Sequence, residues 1–386
     1  MKLKVNAGLF ASVLSDMARI AQSRPILPVT ANVMLSAAGD KLTVQATNLE
    51  VALTCSIEAK IEKEGATTVP ARTLAELVSA MPDQPVSLSL DASGASLKIA
   101  CGDIKSKLRT INAEEFPNTK PASDPVVSLS IASDDLVEAI NQVAYAVAKE
   151  SHRPVLSNVC IKVAPNEALF HGADGYRMSR RAVPVQASGS VDLIIPAGSV
   201  KEIAKIAGDS ERCEMAAWSN GTEIVHLTVE TPNAMLMLLL TAGEYPNLDE
   251  FHQQFLNAPL RATASINALR DALRVALVFA KSVPGNGGTI SIVKAEDGDM
   301  GKLVFGSHTA ETGAADATVE AVVPVEGLEV GYNLVLLAEA LATMGEGQLL
   351  YRSKGPTAPG FFAIVGQDDF FHALMPMQGP KRDVVE

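Results

Sequence analysis

The chain repeats itself. Leu9, Val13 and Met17 follow the i, i+4, i+8 spacing of an apolar helix stripe. Leu136, Ile140 and Ala144 repeat that spacing 127 positions after Leu9, and Leu269, Leu273 and Leu277 repeat it 133 positions after Leu136. A second set keeps the same order. Val69-Pro70-Ala71-Arg72 precedes a helical pattern over Thr73 to Met81, Ile195-Pro196-Ala197-Gly198 precedes one over Ser199 to Ala207, and Val330-Gly331-Tyr332-Asn333 precedes one over Leu334 to Met344. Proline suits a helix start, where its missing N–H would be unpaired anyway. Phe116-Pro117-Asn118 and Tyr245-Pro246-Asn247 form a third signal, 129 positions apart.

Alternating segments lie between these helices. Lys41 to Gln45, Val86 to Leu90, Ser96 to Ala100, Leu193 to Ile195, Glu223 to Val229 and Leu303 to Phe305 read as strands. A unit of roughly 130 residues is too long for a solenoid repeat of about 20–50 residues. It suits α+β domains in tandem. Polar links near Ala122-Ser123-Asp124-Pro125 and Leu256-Asn257-Ala258-Pro259 set the expected domains at 1–126, 127–257 and 258–386.

Chemical motifs are nearly absent. His152, His171, His226, His252, His308 and His372 stand apart, and no Cys/His spacing matches a zinc site. The glycine-rich stretch from Pro284 to Gly288 does not lead into a helix, so it reads as a loop rather than a phosphate cradle. Glu296-Asp297-Gly298-Asp299 lacks the later ligands of a calcium loop and reads as a hairpin turn. No GxSxG elbow occurs, and no carboxylate pair stands out. No metal or cofactor is expected, and a binding role is favoured over catalysis. Cys55, Cys101, Cys160 and Cys213 are scattered and read as buried free thiols in a reducing cytoplasm. Asn6, Asp16 and Arg19 interrupt any signal-peptide run, and Met235 to Leu240 is too short to span a membrane. No membrane association is expected.

The formal charge of −12 argues at first against nucleic acid. Its distribution is uneven: the first segment is neutral, the second carries −7 and the third −5. Arg19, Arg24, Arg72, Lys149, Arg153, Lys201, Lys205, Arg270, Arg274 and Lys281 lie on or beside helical stretches, away from the apolar stripes. Solvated helix faces explain any one of them. Repeated over three domains, the arrangement suits a segregated basic surface, because local potential outweighs net charge.

Several stretches in fixed order resemble the bacterial sliding clamps, the β subunits of DNA polymerase III. They are Ser23 to Pro28, Thr67 to Arg72, Glu115 to Asn118, Arg153 to Leu156, Ala173 to Met178, Gly243 to Pro246, Val330 to Asn333 and Met375-Pro376-Met377. The resemblance implies three tandem clamp domains forming half of a closed ring, each with two helices and antiparallel sheets. It implies a non-catalytic homodimer that encircles double-stranded DNA without sequence preference. Partners would be the replicative polymerase, the clamp loader, and other polymerases and repair proteins bound through short peptide motifs. Weak phosphate contacts without base readout let such a ring slide, which reconciles DNA with an acidic body.

Matched positions imply DNA contact at Arg24, Arg72, Lys149, Arg153 and Lys205. They imply a partner-peptide pocket at Leu156, Ala173, Gly175, Tyr176, Arg177, Met178, Pro246, Asn333, Leu374, Met375, Pro376 and Met377. They imply a head-to-tail dimer interface joining Val278 and Phe279 to the strand holding Ile104 and Leu108. Three departures stand out. Glu150 puts an acid in a DNA-facing stretch, Pro154-Val155 replaces an aromatic pair of some members, and a charged tail follows Gln378. A clamp-like peptide scaffold without DNA encirclement and an enzyme with dispersed catalytic residues remain open at this point.

Overall fold

The computed structural model describes residues 1–119, 124–150, 153–208, 210–296, 298–309, 313–325 and 327–377. His152 and the tail Gly379 to Glu386 lie outside the described residues, as does part of the first expected link.

The repeat is a strand running straight into a helix. Strand Lys2–Val5 leads through Asn6 into α1 (Ala7–Ile20), and strand Gly65–Pro70 leads into α2 (Ala71–Ser79). Strand Val127–Ala132 enters α3 (Ser133–Ala144), and Val191–Pro196 enters α4 (Ala197–Ala207). After α5 (Asp249–Asn257), strand Leu260–Ser265 enters α6 (Ile266–Ala280), and Leu328–Asn333 enters α7 (Leu334–Thr343). Pro70 and Pro196 close their strands, so a residue that cannot extend a ladder marks the turn into the helix. Asn333 serves at the third junction by capping: its Oδ1 accepts from the Val335 and Leu336 amides at 3.0 and 3.2 Å.

Two sequence expectations shift. The buried face of α1 is Ala7, Phe10, Leu14, Met17 and Ile20. Leu9 is 57% exposed and Val13 only half-buried. A strict i+4 step adds 400°, so such a row drifts off the core; the mixed steps of three and four stay on it. Secondly, α5 is a helix that the sequence reading did not expect, and its last two residues run into the link expected at Leu256 to Pro259. Its Asp249 and Glu250 sit in the first turn, where acids complement the helix dipole.

By internal contacts the chain forms two compact units. The first comprises Met1–Asp134, Gln186–Val191 and Glu202–Ala242, and the second Asp135–Val185, Asp192–Lys201 and Gly243–Glu386. The first holds a 13-stranded antiparallel sheet, extended where Ala234–Leu239 pairs with Val51–Lys63. The second holds a 12-stranded antiparallel sheet, extended where Arg177–Pro184 pairs with Gln367–Leu374. In the second unit α6 and α7 cover the sheet, with Leu269, Leu273, Leu337, Leu341, Tyr332 and Tyr351 in one core. All four cysteines are free and buried, as the strand contexts of most of them required.

Candidate partner groove and charged surfaces

The faces around Met178 are set by register. Met178 pairs with Ala373, and Ala373 with Phe361, while Arg177 pairs with Leu374. Side chains alternate across a sheet, so these two sets occupy opposite faces. On the Met178 face Leu156, Ala173, Phe255, Phe361 and Phe371 join in one apolar cluster, with Val155, Tyr245, Leu248 and Phe251 at its margin. The Phe255 and Phe371 rings stack at 4.7 Å, and the Arg352 guanidinium lies 5.6 Å from the Phe255 centroid. Helix α5 thereby roofs part of this face. The half-buried Pro246 stands between Tyr245 and α5.

A fastened turn forms the rim. Asp174 Oδ1 accepts from the Tyr176 and Arg177 amides at 2.9 Å each. Gly175 at φ +92° supplies a left-handed step that a side chain rarely adopts. Tyr176 is left 71% exposed. The Met375 amide donates to Tyr176 O at 2.8 Å, and the Met377 amide to Gly331 O at 2.8 Å. Met375-Pro376-Met377 is thus strung from the rim to the strand ending at Asn333. The Met377 methyl lies where a Cβ on Gly285 would approach within 2.6 Å.

Beneath the rim Arg177 is 3% exposed and fully engaged. Its Nε donates to Asp174 Oδ2 at 3.0 Å, Nη1 to Glu339 Oε2 at 2.6 Å, and Nη2 to Tyr145 O at 2.7 Å. Its guanidinium also sits 5.2 Å from the Tyr145 ring centroid. The Tyr145 hydroxyl shares hydrogen bonds with Ser179 Oγ (2.7 Å) and His372 Nδ1 (2.9 Å). Burial, reinforced by the Arg177 charge, pushes the His372 imidazole down to about 3. Burial also raises the Tyr145 phenol above its ordinary range.

The structure therefore redistributes the expected pocket. Leu156, Ala173 and Met178 share one face, and Tyr176, Met375, Pro376 and Met377 line its rim. Leu374 does not join them. It is 1% exposed in the core beneath α6 and α7, because its register puts it on the opposite face. Asn333 spends its side-chain oxygen on the α7 cap, and Arg177 spends its guanidinium on carboxylates, so both shape the rim rather than line it. Sequence reading missed Phe251 and Phe255, whose i, i+4 spacing was the available signal, and missed Glu339 and Tyr145, which carry none.

Among the implied DNA residues, Arg24 precedes the Pro28–Ala31 turn and Arg72 lies in the first turn of α2; both are exposed. Arg153 is exposed just before the Pro154–Ser157 turn. Lys149 stands 4.0 Å from Glu339. Lys205 is paired with Glu202 at 2.6 Å, which also draws Arg19 at 3.3 Å, so this patch is locally neutralised. Arg270 leaves the basic surface altogether: it donates to the Leu341 and Met344 carbonyls and so caps the end of α7.

For the implied interface, strand Ile104–Arg109 closes one end of its sheet as an edge, with Ile104 exposed and Leu108 half-buried. Val278 on α6 is 69% exposed and Phe279 half-buried. Strand Gly313–Val322 pairs with Met300–Thr309 along its length but with Leu260–Ser265 only at Thr263↔Val322. Among the described residues, nothing else pairs with its second edge.

Among the described residues no three His, Cys, Asp or Glu side chains are grouped to hold a metal, and no helix is long and apolar enough to cross a membrane.

Models of the DNA polymerase III beta subunit match residues 1–120 (N-terminal domain) and 130–247 (central domain). The beta sliding clamp of Synechococcus elongatus is 26% identical, with 98% of this chain and 99% of that protein aligned. The Bacillus subtilis DNA polymerase sliding clamp has the same fold: TM-score 0.89 at 19% identity, over 98% of this chain and 100% of that one. So does a C. crescentus beta sliding clamp with polyethylene glycol in its putative beta-motif tethering region, at TM-score 0.85 and 21% identity, over 98% of this chain and 99% of that one. A chain matched by both models and aligned end to end with full-length clamps belongs to the bacterial DNA polymerase III beta subunits, the non-catalytic sliding clamps of DNA replication.

Proposed function

We propose that this clamp has three tandem domains, 1–126, 127–257 and 258–386, and acts in the cytoplasm as a head-to-tail homodimer closed around duplex DNA. The observation that carries the dimer is the pair of complementary open edges. Lys105, Lys107 and Arg109 share the exposed face of one edge strand, and Asp316 and Glu320 share the exposed face of the other. Strand addition between two copies supplies main-chain hydrogen bonds, and opposite charges across the new ladder select the pairing. Ile104 and Leu108 would then meet Val278 and Phe279 of the next copy. The contact is heterologous, so the ring closes only at the correct rotation per subunit.

Arg24, Arg72, Lys149, Arg153 and Lys205 would give the DNA-facing surface a modest positive potential. Lys205 contributes least, since Glu202 already offsets it. Clamp identity supports DNA and the polymerase as partners. The finer reading is that the clamp loader, other polymerases and repair proteins share the groove around Met178 through short peptides. Gly175, Arg177 and Asn333 hold its rim in place, and the buried Leu156 and Ala173 floor it; Tyr176, Pro246, Met375, Pro376 and Met377 would meet the peptide. Apolar and methionine side chains there adapt to several sequences.

A small contact of this kind is expected to bind at micromolar affinity, about −8 kcal/mol. Met377→Ala should cost about 1–2 kcal/mol, since a few anchors carry most of such an interface. DNA retention should be unchanged. Titration of a fluorescent partner peptide carrying Gln, Leu and Phe checks this. Normal peptide binding by Met377→Ala would remove the C-terminal segment from the groove.

A further inference from the structure

We infer a second partner-docking surface, beyond the groove, on the exposed sheet face of the first unit: it would receive a protein segment that alternates basic and apolar side chains. Strands Arg212–Ser219, Ile224–Glu230 and Ala234–Leu239 align three rows. Trp218 faces His226 and then Leu239; Ala216 faces Thr228 and then Met237; Glu214 faces Glu230 and then Met235. The alternate residues, including Met215, Leu227, Val229, Leu236 and Leu238, fill the core. A two-sided strand normally turns polar residues outward. Here Met235, Met237 and Trp218 are only half-buried on the outward face, and Leu239 is exposed.

The neighbouring turn adds a leucine at a conformational cost. Leu49 has φ +76°, a region that disfavours a branched side chain, and it is exposed. The turn holds it there. Thr47 Oγ1 accepts from the Leu49 amide at 3.0 Å and donates to Val51 O at 2.9 Å. Asn48 Oδ1 accepts from the Glu50 and Val51 amides at 3.0 and 2.7 Å. The Leu239 amide donates to Glu50 O at 2.7 Å, placing Leu49 beside the end of the apolar row. Strain kept at an exposed position points to use.

Charge names the occupant. Glu214 and Glu230 stand directly opposite one another, an arrangement that destabilises a sheet. Among the described residues neither forms an ion pair; Glu214 accepts from Ser130 Oγ at 2.6 Å, and Arg212 Nε turns to the same hydroxyl. A lysine or arginine of an incoming segment would relieve this repulsion while its apolar neighbours cover Met235, Met237 and Leu239. Nucleic acid is excluded by the same carboxylates.

Trp218 is the only tryptophan in the chain, so its emission reports on this face. The full chain is titrated with a twelve-residue peptide of alternating Lys and Leu, and with the same peptide carrying Glu for Lys. A blue shift with the lysine peptide alone is expected. Glu214→Gln with Glu230→Gln should weaken that binding at least fivefold and flatten its salt dependence, and Leu239→Ser should weaken it comparably. All three changes are on the surface, so folding is preserved. Equal affinity in these variants would mean that the peptide binds the acidic body diffusely, and would overturn the proposal. A blue shift that grows with protein concentration without peptide would assign the face to a second copy instead, and would overturn it equally.

Discussion

Val278→Asp combined with Phe279→Asp is expected to convert the dimer to monomers at micromolar concentration. Both positions lie at the outer end of α6, and Gly313, where the open acidic edge begins, is within 3.7 Å of Phe279 for any added Cβ. In the proposed ring the two new carboxylates would be covered by Ile104 and Leu108, with no cation between them. An uncompensated buried charge costs about 3–5 kcal/mol. Sedimentation velocity should show one species of half the mass. A dimer that persists at low concentration would place the interface elsewhere. Reversing the basic edge with Lys105→Glu and Lys107→Glu should likewise separate the copies, and Asp316→Lys with Glu320→Lys should restore them. That rescue is specific to the charge pairing.

Acid should destabilise the second unit well above the carboxylate range. Burial pushes both His171 and His372 down to about 3. For His171, Arg180, Lys162 and His252 add to the effect, and neither ring nitrogen has a hydrogen-bond partner among the described residues. A histidine lowered in the folded state is neutral there but takes up a proton on unfolding. Its stabilising contribution is therefore complete above about pH 6.5 and is lost as the pH falls below it. Between pH 7 and pH 5 each residue should cost about 2 kcal/mol, or about 4 kcal/mol together. Urea unfolding at pH 7, 6 and 5 should show this slope, and His171→Phe should halve it. A flat profile over that interval would mean that these imidazoles are not held neutral.

The parts of the architecture written in local residue order were legible. Pro70 and Pro196 end their strands just before a helix begins, because proline has no N–H to continue a ladder, and Val86–Leu90 is a strand over the expected bounds. What sequence order does not carry is the pairing register. Arg177 and Met178 are adjacent in the chain, yet one is bound to Glu339, 162 positions away, and the other faces Phe361 across two ladder steps. The same parity puts Leu374 on the face opposite Met178, in the core under α6 and α7. Helix α5 escaped notice because nine residues hold too few periods for its two phenylalanines to stand out. The proposed dimer edges were expected only by resemblance, since an open ladder edge is a property of the assembled sheet.

Retention on DNA tests the central claim most directly. The protein is loaded with a clamp loader onto nicked circular duplex, washed, and the circle is then cut once. A topologically linked ring should stay on the circle through high salt and be lost when the ends form, because sliding rather than dissociation sets its escape. The Val278→Asp, Phe279→Asp chain should not be retained on either form. Equal retention on circular and linear DNA, or loss from the circle at moderate salt, would contradict encirclement.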